Sequence, residues 1–166
     1  MGCGKTSVGR ALGALLSWDV IDLDEEVEKY AGMTVPDIFA TKGEAGFRSA
    51  EKKVLEDILS NRMGNVILAL GGGTVKDEEN ASALRRNSKC VYLRASAGNL
   101  ADWLGDDAQR NRPLLHHKAE VSLAEHISSL LAEREPQYLA VAEYIVDVNE
   151  LSYGEAACKI KEMLSI

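Results

Sequence analysis

The sequence predicts an α/β fold in which helices cover both faces of a central parallel sheet. Short apolar runs of strand length alternate along the chain with longer segments whose apolar residues recur at helical spacing. Residues 66–70, Val-Ile-Leu-Ala-Leu, are continuously apolar, as is typical of a strand buried on both faces of a parallel sheet. With 166 residues, 46% of them apolar, the chain is predicted to form one domain, residues 1–166, around a sizeable core.

The first seven residues, Met-Gly-Cys-Gly-Lys-Thr-Ser, carry the motif around which the other elements are interpreted. Gly4-Lys5-Thr6 matches the end of a phosphate-binding loop, where backbone NH groups and a lysine surround phosphates and the threonine hydroxyl binds Mg²⁺. Apolar residues at helical spacing over residues 8–16 predict a helix whose amino end adds its dipole to that site. So short a motif also fits an ordinary glycine turn that caps a helix.

Two aspartates follow the next predicted strand. The apolar residues 20–21 lead into Asp22 and Asp24. Ligands bind at the carboxyl ends of strands in open parallel sheets, and alternation along a strand predicts that both carboxylates point to the same side. A helical turn is predicted over residues 25–30, so Asp24 has an alternative role as the cap of that helix.

The next segment is predicted to be helical, with one interruption. Thr34 is expected to cap a short helix, and a turn at residues 42–43 separates it from a long helix over residues 44–59. The apolar side of the long helix is predicted to face the core, with Arg48 and Glu51 largely on the opposite side. Considered alone, Arg48 is typical of a solvent-exposed helix arginine.

Three glycines, Gly71, Gly72 and Gly73, come directly after the predicted buried strand. Because they carry no side chains, a ligand can approach the backbone closely, which favours a binding site over the alternative of a plain turn. In most phosphate-loop enzymes a strand of this kind ends in the aspartate that holds Mg²⁺ through water. The sequence has no aspartate at this strand end, so Asp22 is the candidate for that carboxylate.

The second half of the chain continues the alternation around one irregular stretch. Residues 105–118 are polar, have weak periodicity and contain Arg112, which predicts a mobile flap over an active site or, alternatively, an inert surface loop. Pro136 is expected to end the helix that precedes it. The other predicted elements are helices at residues 77–87, 97–104, 122–135 and 153–164 and strands at residues 90–93 and 144–148.

Charge and cysteine content restrict the class of partner. The net charge of −7 argues against nucleic acids and anionic membranes, so an anionic substrate needs a local cluster of cations. The three cysteines are far apart and form no C-x-x-C pair, so neither a disulfide framework nor a zinc site is indicated. A reducing, cytoplasmic location is expected. No apolar run in the sequence is long enough to span a membrane.

Six segments, taken together in their order and spacing, resemble the shikimate kinase family across nearly the whole chain. Each segment alone is a weak signal, and the phosphate loop by itself would indicate only nucleotide binding. The segments are Gly-Cys-Gly-Lys-Thr at residues 2–6, Ile-Asp-Leu-Asp at 21–24, Gly-Glu-Ala-Gly-Phe-Arg at 43–48, Gly-Gly-Gly at 71–73, Arg-Pro-Leu-Leu at 112–115 and Glu-Arg-Glu-Pro-Gln-Tyr at 133–138.

The resemblance implies ATP-dependent phosphorylation of the 3-hydroxyl of shikimate with Mg²⁺ as cofactor. It implies a five-stranded parallel sheet like that of nucleoside monophosphate kinases, substrate-binding helices over residues 25–60 and a lid over residues 105–119. The expected partners are shikimate and ATP, and the expected state is a cytoplasmic monomer.

The resemblance also implies how the nucleotide is held. Lys5 and the loop NH groups hold the β- and γ-phosphates, Thr6 binds Mg²⁺ directly, and Asp22 holds it through water. Arg112 matches the lid arginine of the family, which closes onto the phosphates. The further ATP contacts implied by the resemblance are Gly2, Cys3, Gly4 and Ser7.

A second set of residues is implied for the acceptor. Asp24 accepts a hydrogen bond from a substrate hydroxyl and orients or deprotonates it. Arg48 and Arg134 match the two family arginines that clamp the shikimate carboxylate, for which planar bidentate donors are suited. Gly71, Gly72 and Gly73 line the ring. The local cations then explain how an acidic protein binds two anions.

The sequence departs from the family at its amino end. The family strand that precedes the phosphate loop, and the first half of that loop, are not in this sequence, and loss of a central strand leaves two neighbours with unpaired edges. We therefore expect the sequence to be incomplete there.

Two alternative functions stay open. One is a gluconate-type or other small-metabolite kinase, which should lack the arginine pair together with Asp24. The other is a non-catalytic shikimate kinase-like binding protein.

Overall fold

The computed structural model describes residues 2–61, 64–105 and 122–166. The strands are β1 (Asp19–Asp22), β2 (Val66–Ala69), β3 (Val91–Arg94) and β4 (Tyr144–Asp147). The helices are α1 (Lys5–Leu16), α2 (Leu23–Ala31), α3 (Val35–Asn61), α4 (Glu78–Asn87), α5 (Ala97–Leu104), α6 (Leu123–Val141) and α7 (Tyr153–Leu164), and a 3₁₀ turn spans Thr74–Lys76. In these parts of the chain, no helix combines the length and the apolar character needed to cross a membrane.

The described strands form two parallel pairs. β1 pairs with β2, with Asp19 opposite Val66, and β3 pairs with β4, with Val91 opposite Tyr144. Within the described residues, β2 and β3 are not hydrogen-bonded to each other. A cavity of about 820 Å³, lined by residues of both strands, lies between the two pairs.

Helices cover both faces of the strand layer. Ile67, Val91 and Leu93 pack against one apolar cluster, which contains residues of α1 and α7. Val66 and Leu68 pack against a second cluster, built from residues of α2, α3 and α4. Neighbouring residues of a strand thus reach opposite clusters, as strand geometry requires. The predicted three-layer α/β/α architecture is confirmed.

Burial of β2 is less complete than the sequence predicts. Ala69 is buried, but Val66, Ile67 and Leu68 are only partly buried, although all four residues are apolar and helices lie on both faces. The inner edge of the strand borders the cavity, so part of each side chain stays accessible. The expectation of full coverage is therefore corrected.

The interruption predicted near residues 42–43 is present in α3. Gly43 has φ 67° and ψ −177°, so two helical segments meet there at an angle within the span Val35–Asn61. Thr34 caps the first segment, because its Oγ1 accepts a hydrogen bond from the Asp37 amide at 3.3 Å. The predicted cap and turn are both confirmed.

Helix α6 is longer than predicted. It runs from Leu123 to Val141 and contains Pro136 in its interior, whereas the sequence interpretation ended it before that proline. A proline inside a helix removes one backbone hydrogen bond, at a cost of about 3 kcal/mol. Beyond Pro136, the Tyr138 hydroxyl donates to the Gly72 carbonyl and Val141 is buried in the core. These tertiary contacts offset the cost and keep the final turns helical.

Candidate active site

The phosphate-loop motif leads directly into α1. Gly4 occupies the N-cap position with φ 74°, a left-handed conformation that favours glycine, and a Cβ atom there would lie 2.6 Å from Cε1 of Tyr153. In the part of the chain that the structure describes, no side chain caps this end of α1, so the NH groups of Lys5, Thr6 and Ser7 remain available to an anion. With the helix dipole and the Lys5 ammonium, this end of α1 has the chemistry of a phosphate site.

A hydroxyl and a carboxylate lie together next to this helix end. Thr6 Oγ1 donates a hydrogen bond to Asp22 Oδ2 at 2.5 Å. Hydroxyl and carboxylate oxygens are hard ligands of the kind Mg²⁺ prefers, and Mg²⁺ usually keeps waters and substrate phosphates as its other ligands. The described residues contain no cluster of three or more His, Cys, Asp or Glu able to hold a metal. The pair therefore fits a cation shared with phosphate better than a site made by protein alone.

The two aspartates are placed differently from the prediction. β1 ends at Asp22, which is the N-cap of α2 and accepts a hydrogen bond from the Asp24 amide at 3.0 Å. Asp24 lies in the first turn of α2, so strand alternation does not relate the two carboxylates, and Asp22, not Asp24, is the cap. Oδ1 of Asp24 lies 3.2 Å from where a Cβ of Gly71 would be, so this carboxylate faces the glycine turn.

Arg48 is held by a buried carboxylate. Its Nη1 donates to Glu51 Oε2 at 2.7 Å, and Thr74 Oγ1 donates to Glu51 Oε1, also at 2.7 Å. The Glu51 side chain is 0% exposed and that of Arg48 is 23% exposed. Both results correct the prediction, which placed these residues on the solvent side of the helix. The charge-assisted bonds satisfy a carboxylate that would otherwise be too costly to bury.

The glycine turn gives the arginine its position. A Cβ atom on Gly73 would overlap the Arg48 guanidinium, which therefore packs directly against the backbone at that residue. At Gly71, oxygens of Glu51, Asp24 and Thr74 lie 3.1 to 3.2 Å from the position that a Cβ would take. The sequence interpretation explained these glycines by the approach of a ligand; the structure adds that side chains of the protein itself also lie close to Gly71 and Gly73.

The second predicted arginine lies on α6, beside a tyrosine that contacts the same turn. Arg134 is 5% exposed, and its Nε has no hydrogen-bond partner among the described residues. Tyr138, one helical turn later, donates its hydroxyl to the Gly72 carbonyl at 2.6 Å. Burial raises the pKa of Tyr138, whereas the positive charges of Arg134 and Arg48 act to lower it.

The sequence interpretation assigned no role in the site to three residues: Glu51, Thr74 and Tyr138. Glu51 had an available signal, because an arginine and a glutamate three residues apart on a helix are neighbours. Thr74 contacts Glu51 across 23 residues and Tyr138 contacts Gly72 across 66, and no local pattern identifies such partners. Arg112 and the rest of the predicted lid at residues 105–119 lie outside the described residues, except for Gly105 at the end of α5.

Comparison with known proteins gives a consistent family. Residues 1–165 match the family model described as shikimate kinase. A shikimate kinase of Bordetella avium is 41% identical over 151 residues, which are 91% of this chain and 69% of the relative. One from Nitrosospira multiformis is 36% identical over 166 residues, covering 100% of this chain and 82% of the relative.

Solved structures agree with the sequence matches. A shikimate kinase from Acinetobacter baumannii in complex with shikimate superposes with a TM-score of 0.90 at 36% identity, covering 99% of this chain and 89% of the other. The shikimate kinase from Bacteroides thetaiotaomicron gives a TM-score of 0.88 at 32% identity, with coverage of 100% and 94%. At these identities both the fold and the family are shared.

Proposed function

We propose, because this chain belongs to the shikimate kinase family, that it transfers the γ-phosphoryl group of ATP to the 3-hydroxyl of shikimate. Family membership makes it a kinase of aromatic amino acid biosynthesis that phosphorylates shikimate. The phosphoryl donor, the metal and the residue roles given below are the parts that we add.

The observation that carries the proposal is the pair of arginines at the glycine turn. Arg48 is oriented by the buried Glu51, and Arg134 is buried with an Nε that has no partner among the described residues. A carboxylate placed between them would receive planar, charge-assisted donors from both sides. This arrangement suits the carboxylate of shikimate, and a gluconate-type kinase is expected to lack the arginine pair together with Asp24.

Asp24 is the proposed base or orienting group for the acceptor hydroxyl. It lies at the same glycine turn, with Oδ1 3.2 Å from the position that a Cβ of Gly71 would take. A carboxylate there can accept the hydroxyl proton or align its oxygen for in-line attack. Gly71, Gly72 and Gly73 form the wall between Asp24 and the arginines, against which we place the shikimate ring.

ATP is assigned to the amino end of α1. Lys5 and the uncapped NH groups of the first turn hold the β- and γ-phosphates, with Gly2, Cys3, Gly4 and Ser7 forming the loop around them. Mg²⁺ would be held by Thr6 directly and by Asp22 through water, and it would supply charge neutralisation between the phosphates. The Thr6 hydroxyl and the Asp22 carboxylate already lie within hydrogen-bonding distance, which supports a shared cation.

The remaining assignments follow from the family resemblance. Arg112 is proposed to close onto the phosphates from a lid at residues 105–119, and residues 25–60 are proposed to carry the acceptor-binding helices. We further propose a single domain over residues 1–166 that acts as a monomer in the cytoplasm.

The function is tested by measuring ADP release with shikimate, with gluconate and without acceptor. We expect Mg²⁺-dependent ADP release that requires shikimate, because only that acceptor presents a carboxylate and a ring hydroxyl to the two halves of the site. Preference for gluconate would assign the chain to another class of metabolite kinase. Binding of shikimate without ADP release would identify a non-catalytic relative. Either result contradicts the proposal.

A further inference from the structure

The acceptor site is assembled from two separate parts of the chain. One part is the glycine turn, where the Arg48 guanidinium packs against Gly73. Asp24 faces Gly71 in the same turn. The other part is α6, which carries Arg134. A carboxylate clamp made from both arginines therefore needs a contact that holds α6 at a fixed position relative to the turn.

The contacts between α6 and this region include a hydrogen bond and an ion pair. The Tyr138 hydroxyl donates to the Gly72 carbonyl at 2.6 Å, in a partly buried position. Lys76, in the 3₁₀ turn that follows the glycines, lies with its Nζ 2.8 Å from Glu133 Oε1. The Glu133 side chain is 57% exposed, and ion pairs at the surface contribute little. The bond from Tyr138 is therefore the stronger of these two links.

Tyr138 is well placed on α6 to control the position of Arg134. It follows the arginine by one helical turn, so the two side chains are neighbours on one face of the helix. Pro136 lies between them and lacks the NH group that a helix interior needs, so the helix is less restrained at this point. Fixing the tyrosine to the glycine turn also fixes the part of the helix from which Arg134 projects.

The Tyr138 phenol is suited to act as a permanent donor. Its ring packs against that of Tyr92, with the centroids 5.2 Å apart and an interplanar angle of 41°. Burial raises its pKa, the positive charges of Arg134 and Arg48 act to lower it, and the net shift is upward from 10.0. The hydroxyl therefore stays protonated at neutral pH. This favours a positioning role over one in proton transfer.

We propose that Tyr138 is a positioning residue for the acceptor, which holds the Gly72 carbonyl and thereby keeps the glycine turn and Arg134 at the spacing that one carboxylate requires. This role rests on the proposed function, because it needs an acceptor carboxylate between Arg48 and Arg134. It requires no contact between the tyrosine and the substrate. A tyrosine that only kept the end of α6 helical would instead affect stability and the use of both substrates alike.

The variant Tyr138→Phe tests this role, because it removes the hydroxyl and keeps the ring. Loss of one neutral hydrogen bond changes an equilibrium by a modest factor, so we expect the KM for shikimate to rise about three- to tenfold. The KM for ATP should stay within about twofold, because the nucleotide is assigned to the amino end of α1. Steady-state kinetics with each substrate varied in turn measures both values.

Tyr92 provides the matched control. Its ring belongs to the same aromatic pair, but its hydroxyl donates to Glu135 at 3.3 Å and has no bond to the glycine turn within the described residues. Tyr92→Phe removes the same atom from the neighbouring ring, so the KM for shikimate should stay within about twofold. Thermal melting of both variants compares their stability.

Combination with Arg134→Ala separates positioning from general stabilisation. Without Arg134 there is no second guanidinium to position, so adding Tyr138→Phe should lower kcat/KM for shikimate by less than about twofold. A purely structural tyrosine would have its full effect in both backgrounds. The rate at low shikimate concentrations gives kcat/KM directly, even where the KM is too high to reach.

Several results would overturn the proposal. A normal KM for shikimate in Tyr138→Phe, an equal rise for ATP, an equal effect of Tyr92→Phe, or additive effects with Arg134→Ala would each contradict it. Failure of the proposed function would differ, because the wild type would then release no ADP in response to shikimate. In that case calorimetric titration of shikimate into the wild type and Tyr138→Phe still tests the role through affinity. Absence of shikimate binding to the wild type would overturn both proposals.

Discussion

At the scale of single residues, the position of Glu51 explains that of Arg48. A carboxylate with 0% exposure needs charged or hydrogen-bonding partners, and Glu51 has both in Arg48 and Thr74. In turn, it fixes the guanidinium against Gly73. We therefore propose Glu51 as a positioning residue that acts on shikimate through Arg48.

Glu51→Gln should weaken the use of shikimate without affecting ATP. The amide keeps the shape of the side chain but loses the charge, and a hydrogen bond to a charged group contributes about 1.5–3 kcal/mol. We expect kcat/KM for shikimate to fall at least about tenfold, mainly through KM, with unchanged nucleotide affinity. Steady-state kinetics with each substrate varied in turn measures both effects.

Glu44→Gln is the matched control. Glu44 also contacts Arg48, at 3.4 Å, but its side chain is 52% exposed, so we expect a change within about 1 kcal/mol. Equal losses in the two variants would argue that burial of Glu51 has no special role. Loss of thermal stability in Glu51→Gln with equal weakening toward both substrates would indicate a purely structural residue.

The two arginines should contribute to shikimate use in similar measure. Arg48→Ala or Arg134→Ala removes one half of a largely desolvated carboxylate clamp, so each should cost about 2–5 kcal/mol in kcat/KM for shikimate. ATP affinity should change little. The control is Arg10→Ala, because Arg10 is 68% exposed and pairs only loosely with Glu25 at 3.6 Å. A normal shikimate response in both site variants would remove the main support for this substrate.

At the scale of secondary-structure elements, local capping determines where several helices begin. Ser152 and Glu155 form a capping box at the start of α7, the helix whose Tyr153 packs against Gly4. The Ser152 hydroxyl, and then its amide, donate to Glu155 and lower the pKa of that carboxyl below its ordinary value of 4.5. The helix next to the phosphate loop is thus anchored by a charge-assisted contact.

The capping box predicts a definite pH dependence of stability. Because the pKa of Glu155 is lower in the folded state, its contribution is present above pH 4.5 and is lost as the pH falls through the folded value. Glu155→Gln keeps a neutral box, so its melting temperature should decrease less than that of the wild type between about pH 7 and about pH 3. Ser152→Ala should reduce the same dependence, and identical pH profiles for all three proteins would contradict this role.

At the scale of the whole molecule, the strand layer is divided by the cavity. Among the residues that the structure describes, β3 pairs only with β4, and the alternation of a parallel ladder turns the amides of Val91 and Leu93 away from β4. These amides should exchange with solvent at least about tenfold faster than those of Tyr92 and Arg94, which face β4. Exchange measured residue by residue tests this in the protein alone. Equal protection at all four positions would mean that β2 and β3 close on each other in solution.

The net charge of −7 is also explained only at this scale. The cationic groups proposed to bind anions come from three helices, with Lys5 on α1, Arg48 on α3 and Arg134 on α6. We propose that the glycine turn and the amino end of α1 bring these groups to one region of an otherwise acidic molecule, where Arg48 already packs against Gly73. A local cation cluster of this kind was expected from the sequence, because anionic substrates require one.

The sequence by itself determined the elements whose signals are local. Helices α5 and α7 have the predicted bounds because Ser96 and Ser152 cap them, and the interruption at Gly43 and the helix after the phosphate motif were predicted for similar reasons. Motif order also indicated the family, which the comparisons confirm.

The tertiary structure decided what depends on contacts between distant segments. Burial of Glu51, continuation of α6 through Pro136 and the bond from Tyr138 to Gly72 all arise from partners far away in the sequence. Propensity and capping act within a few residues, whereas burial and pairing are set by packing of the whole chain.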